Sequence, residues 1–202
     1  MDLIARRGDN VINTNELYLK HYCHPNCMPY KNICRLPEEE AFALAYTMAA
    51  NNPDETYIVR FSESHFQRYY TRRMEVDKLL YDNFVALGGK PKEKHPIFFV
   101  LHHSKTLEDW VGKWNFIGKV RLVDVPPEFI SFTLDDSMVS FKKNGKLTMY
   151  TKEHLLQILR EYHGTIEDFM DELTQEYYCI EAQIWNDEYC KPDCTDFEFI
   201  RA

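Results

Sequence analysis

The alternation of apolar and polar positions divides the chain into short strand-like and helix-like stretches. Leu17 to Cys23 alternates in part and reads as a strand. Pro37 followed by Glu38, Glu39 and Glu40 opens a helix, since proline suits the first turn and acids suit the positive end of the dipole. Phe42, Ala45, Tyr46 and Ala49 share one face of it, and Asn51-Asn52-Pro53 ends it. Tyr57 to Phe61 reads as a strand. A longer helix is predicted from about Glu63 to Leu87, capped by Ser62 or Ser64 and stopped by Gly88-Gly89. Its apolar stripe is Phe66, Tyr69, Tyr70, Val76, Leu80, Phe84 and Leu87.

Ile97 to Leu101 is a continuous apolar run, as expected of a buried strand, and Trp110 falls in a short helical segment after it. From Phe116 to Tyr150 the pattern favours strands. Val139–Lys143 and Lys146–Tyr150 flank Asn144-Gly145, a hairpin signal because both turn positions take positive φ. Thr151 caps a helix through Tyr162, and Thr165-x-x-Asp168 resembles a capping box for a helix carrying Ile166, Phe169, Met170 and Leu173. Tyr178 to Trp185 is the last clear strand. The expected fold is α+β: one domain over residues 1–202, with a mixed, mostly antiparallel sheet flanked by helices.

Composition adds size and charge. The chain has 202 residues, 45% hydrophobic and 28% charged, enough for one sizeable core, and 14% aromatic content argues against general disorder. The net charge of −8 is uneven. Twelve acidic residues against Lys191 and Arg201 make residues 161–202 net −10, leaving +2 for residues 1–160. A general nucleic-acid coat is not expected from this balance. The acidic part, 161–202, is expected to pack on the domain as ordered structure. The start, Met1 to Arg7, lacks the apolar core of a signal peptide, and no run is long enough to span a bilayer, so a cytosolic protein without membrane contact is expected.

Six cysteines are then expected as reduced thiols or metal ligands. Cys23-x3-Cys27, with His24 beside it, and Cys190-x3-Cys194 have spacings that zinc can use. Neither pair sits in a Gly-rich knuckle, and Pro25 and Pro192 stiffen both turns, so buried thiols rather than zinc are expected.

Candidate chemistry sits at the two ends. In the last strand Tyr178, Ile180, Ala182 and Ile184 face one side, and Cys179, Glu181, Gln183 and Trp185 face the other. Glu181 is mid-strand beside an amide and a large aromatic, which suits a carboxylate that holds a hydroxyl or stabilises a cation. The polar face of a half-solvated sheet produces the same alternation. At the other end, His21-Tyr22-Cys23-His24 closes the first strand, where an imidazole N–H can donate to a ligand hydroxyl.

His21-Tyr22-Cys23-His24-Pro25-Asn26, with Cys23 where threonine is usual, and Glu181-Ala182-Gln183-Ile184-Trp185 together resemble the end motifs of the ADP-ribosyltransferase superfamily, in its DarT-like branch. The resemblance implies an NAD-dependent transferase that modifies a macromolecule, nucleic acid or protein. Glu181 would be the catalytic carboxylate, holding the ribose 2′-hydroxyl and stabilising the oxocarbenium-like transition state. His21 would bind the nicotinamide-side ribose of NAD, Ser137 would supply the central strand's hydroxyl, and Arg72, with Arg68 and Arg73, could reach the NAD phosphates. The alternative is a non-enzymatic inhibitor or adaptor whose acidic C-terminal surface binds a basic, nucleic-acid-handling protein.

Overall fold

The computed structural model describes residues 11–23, 29–53, 58–111, 116–190 and 196–198, the side chains of 110, 111, 116, 117 and 196–198 excepted. In chain order the strands are β1 (Tyr18–Cys23), β2 (Ile97–Leu101), β3 (Phe116–Arg121), β4 (Ile130–Leu134), β5 (Met149–Thr151), β6 (Ile180–Ile184) and β7 (Asp196–Glu198). The helices are α1 (Glu38–Asn51), α2 (Phe66–Ala86), α3 (Lys105–Val111), α4 (Ser137–Asn144), α5 (Lys152–Glu161) and α6 (Ile166–Leu173). The seven strands form one sheet in the order β5-β4-β6-β2-β1-β3-β7. Every strand pairing among the described residues is antiparallel, and the architecture is α+β.

Register fixes which side chains share a face, because directly paired residues point the same way. Leu19 pairs with Leu101, Phe99 with Ala182, and Ala182 with Phe132. This face meets Leu155 and Leu159 of α5 and Phe169, Met170 and Leu173 of α6 in the main core. On the opposite face Lys20 pairs with Val100, Val100 with Glu181, and Glu181 with Thr133. There α2 and α4 pack: Val76, Leu80 and Phe84 cluster with Trp185, and Phe98 and Met138 lie against them. β6 is therefore buried along its whole length on both faces, not half-solvated as its alternation alone allows. The tight seat of α2 shows at Gly89, where a Cβ would come within 2.6 Å of the Phe84 ring.

Two predicted strands take other forms. Ile58–Phe61 is a 3₁₀ turn, and Tyr57 lies outside the described residues. The predicted hairpin over 139–150 is helix α4 followed by the three-residue β5. The Asp136 carboxylate accepts from the N–H groups of Met138 and Val139 and starts the helix, and Lys142 and Lys143 occupy its last turn. Gly145, at φ +65°, is the left-handed C-cap, a second use of Asn-Gly chemistry that local pattern does not separate from a hairpin turn. The other caps form as expected: Thr151 accepts from His154 N–H, and Thr165 and Asp168 make the reciprocal capping box. Helix α2 starts without a side-chain cap, its two nearby serines bonding instead to the His65 ring.

Candidate functional site

Between α2 and the sheet runs a chain of buried polar side chains. Trp185 Nε1 donates to Ser131 Oγ at 2.9 Å, Ser131 Oγ donates to Gln183 Oε1 at 2.9 Å, and Gln183 Nε2 donates to Glu181 Oε1 at 2.9 Å. Thr133 Oγ1 takes the second Gln183 N–H at 3.1 Å. Ser137, at the start of α4, donates its hydroxyl to the Glu181 carboxylate and accepts from the Arg73 guanidinium at 3.1 Å. Arg73 Nε reaches Asp77 Oδ1 at 2.6 Å, and Asp77 Oδ2 meets His95 Nδ1 at 2.8 Å. The guanidinium also lies 4.1 Å from the centre of the Phe98 ring. Each member supplies the partner the next requires, which is how a sheet face this polar can be buried at all.

The electrostatics centre on Glu181 and Arg73. Burial and the nearby Asp136 charge push the Glu181 carboxyl up to about 7, against the pull of Arg73 and the hydrogen bonds from Ser137 and Gln183. Burial works against the Arg73 charge, but Asp77 and Glu181 outweigh it and hold the guanidinium firmly cationic. A carboxyl poised near neutrality beside a fixed cation and a hydroxyl can exchange a proton, yet only 6% of Glu181 is exposed.

Of the four site residues expected from sequence, the structure joins two. Glu181 and Ser137 are in contact. Arg72 is half-buried on α2, and the guanidinium that enters the network is its neighbour Arg73. His21 lies on the other face of the sheet, its ring 5.3 Å from Phe99 and 5.1 Å from Tyr30. Its Nδ1 bonds the Phe98 carbonyl at 2.8 Å, and its Nε2 accepts from Tyr30 N–H at 3.3 Å. Both ring nitrogens are therefore spent on the backbone, the proton sits on Nδ1, and burial lowers the ring's pKa to about 4. With one side chain on each face of the sheet, His21 and Glu181 line no common cleft. His24, Cys27 and Cys194 lie outside the described residues; Cys34 and Cys179 are buried free thiols, and Cys23 and Cys190 are buried.

Sequence reasoning named Arg73 only alongside Arg72 and Arg68 and passed over Asp77 as a member of a site, although their spacing carried a signal. Phe66, Tyr70, Arg73, Asp77, Leu80 and Phe84 follow one another at steps of three or four and are all buried. An Arg and an Asp thus occupy two successive places in the apolar stripe, one turn apart, and a buried ion pair is what such places require.

The acidic C-terminal part is ordered through α6 and β6. From 161 to 190 there are nine Asp and Glu and no Lys or Arg. Glu161, Glu167, Asp168, Asp171, Glu172 and Glu176 are exposed, while Phe169, Met170 and Leu173 anchor α6 in the core. No helix among the described residues is long and apolar enough to cross a membrane. Comparison with protein-family models, with curated proteins and with solved structures finds no match to this chain.

Proposed function

We propose that the protein is a binding module that presents the exposed face of α6 to a basic protein partner. What supports this reading is one arrangement: six exposed carboxylates across 161–176, four of them (Glu167, Asp168, Asp171 and Glu172) held on a capped helix whose other face is pinned in the core. Charges fixed on a rigid element attract a basic surface without the ordering cost that a flexible acidic tail would carry. The proposal includes a cytosolic setting, in keeping with the buried free thiols of Cys34 and Cys179.

The test is binding to a defined basic probe, a lysine- and arginine-rich peptide, over a range of salt. Neutralising Glu167, Asp171, Glu172 and Glu176 as amides should weaken binding at least tenfold and flatten its salt dependence. Neutralising Glu16, Glu63, Glu75 and Asp124, exposed elsewhere, changes net charge equally and should leave most of the affinity. Equal losses in the two variants would mean that net charge, not α6, does the binding, and would end the proposal.

A second reading, an NAD-dependent transferase centred on Glu181, draws on the contact between Glu181 and Ser137. It has to work without His21, whose ring nitrogens are occupied on the opposite face. It expects nicotinamide release from NAD in the presence of a nucleic-acid or protein acceptor. If the wild type and Glu181→Gln release nicotinamide alike, that reading fails.

A further inference from the structure

Three elements far apart in sequence converge at one end of the buried network. Cys34 sits in the 3₁₀ turn Ile33–Arg35, Asp77 on the inner face of α2, and His95 in the loop entering β2. Sγ of Cys34, a carboxylate oxygen of Asp77 and an imidazole nitrogen of His95 all lie within 4.8 Å of one another. Cys34 and Asp77 are buried and His95 nearly so.

We propose that Cys34, Asp77 and His95 bind one divalent transition-metal ion of the zinc class, with a fourth position left to water or a small ligand. The donor set selects the ion. A thiolate and an imidazole favour zinc-like metals over magnesium or calcium, which take oxygen ligands. Three protein ligands and one open position is the usual pattern of a zinc site that keeps an exchangeable ligand.

Geometry and charge both accommodate the ion. Bonds of about 2.0–2.1 Å at a tetrahedral angle place an oxygen and a nitrogen ligand about 3.3 Å apart. Asp77 Oδ2 and His95 Nδ1 are 2.8 Å apart, so an opening of about 0.5 Å replaces their hydrogen bond with metal ligation. A thiolate and a carboxylate neutralise a divalent cation, and a neutral imidazole adds no charge. Binding releases the Cys34 thiol proton to solvent, and the imidazole keeps its proton on the nitrogen the ion does not take. Arg73 remains on Asp77 Oδ1, with Glu181 as its second counter-charge.

The surroundings hold the ligands in place. Asn32 accepts from Cys34 N–H at 2.9 Å and donates to the Pro96 carbonyl at 2.8 Å, tying the cysteine turn to the loop of His95. Arg35 Nε donates to the His95 carbonyl at 2.7 Å, and its NH1 pairs with the Asp187 carboxylate. Supports of this kind orient a metal's ligands and raise its affinity.

The experiment is titration of chelator-treated full-length protein with cobalt(II), followed by competition with zinc(II). One equivalent should produce thiolate-to-cobalt charge-transfer absorption and the strong visible bands of tetrahedral cobalt, both abolished by zinc. Cys34→Ser should lose the charge-transfer band, whereas Cys179→Ser and Cys190→Ser should keep it. His95→Gln, a change at a loop residue that serves if the cysteine variant fails to fold, should weaken cobalt binding at least tenfold. Absence of a saturable one-equivalent band overturns the proposal, as does an unchanged titration in either Cys34→Ser or His95→Gln.

Discussion

On the side covered by α5 and α6, the sheet offers Leu19, Phe99, Leu101, Phe132, Ala182 and Ile184; on the side under α2, β4 and β6 offer Ser131, Thr133, Glu181 and Gln183 beside Phe98 and Val100 of β2. Both sides are buried. The first side gains from removing apolar area from water and tolerates any arrangement that fills space, at about 25 cal/mol per Å². The second also buries an apolar cluster of Val76, Leu80, Phe84 and Trp185, but it must in addition satisfy every donor and acceptor beside that cluster, so it accepts few alternatives. Its titratable groups differ in sign as well. His21, on the apolar side, is held neutral against protonation, while Glu181, on the polar side, is held against ionisation.

The largest effect expected from breaking this contrast is at Arg73. Replacing it by methionine fills similar space but leaves Asp77 and Glu181 without their cation. Urea unfolding at pH 8 should show a loss of about 3–5 kcal/mol, comparable to Phe132→Ala on the other face. At pH 5, where Glu181 is protonated, the Arg73→Met loss should shrink and the Phe132→Ala loss should not. A cost below about 1 kcal/mol at pH 8 would mean that these charges are solvated, and the contrast between the faces would disappear.

The pH dependence comes next. For His21 the folded value, about 4, is below the ordinary 6.5, so its contribution is present above pH 6.5 and is lost as pH falls toward 4. That contribution is about 3 kcal/mol at 1.36 kcal/mol per pKa unit. For Glu181 the folded value, about 7, is above the ordinary 4.5, so the native state is favoured below pH 4.5 and loses that advantage as pH rises toward 7. Unfolding free energies measured from pH 4 to pH 8 should show His21→Gln flattening the acid side and Glu181→Gln flattening the neutral side. The same direction of change in both variants would contradict the assignment of opposite roles.

A smaller effect separates the cap of α4 from its charge. Asp136→Ala should cost about 1 kcal/mol through loss of the cap to Met138 and Val139 N–H. Asp136→Asn should retain most of that stability and still lower the Glu181 titration toward the ordinary carboxylate range, read by carbon-13 carboxyl shifts. An unmoved Glu181 in Asp136→Asn would remove Asp136 from the causes of its shift. Least of all should be the stability change from each amide substitution on α6, within about 0.5 kcal/mol, even where binding to the basic probe falls tenfold.

Much of this was legible in the chain. The capping box at Thr165 and Asp168 and the run Ile97–Leu101 are local signals, and both formed as read; the long helix formed too and ends before Gly88, but it starts at Phe66 without the expected serine cap. Glu181 stood out from strand alternation alone. The turn at Asn144-Gly145 did not resolve, because a left-handed glycine serves a helix C-cap as readily as a hairpin. Arg72 was chosen over Arg73 because the side of α2 that packs depends on the sheet beneath it. Cys34, Asp77 and His95 carry no common motif, since their nearness comes from three separate elements meeting.

By itself the sequence determined the positions of most helices and strands, their caps, and the concentration of negative charge after residue 160. These depend on contacts within a few residues, where side-chain chemistry acts directly on the neighbouring backbone. The tertiary structure alone decided that β6 is covered on both faces, that His21 and Glu181 face opposite ways, and that Arg73 rather than Arg72 meets the carboxylate. Strand order and register settle such matters, and pairings between distant segments leave no periodic trace in either one.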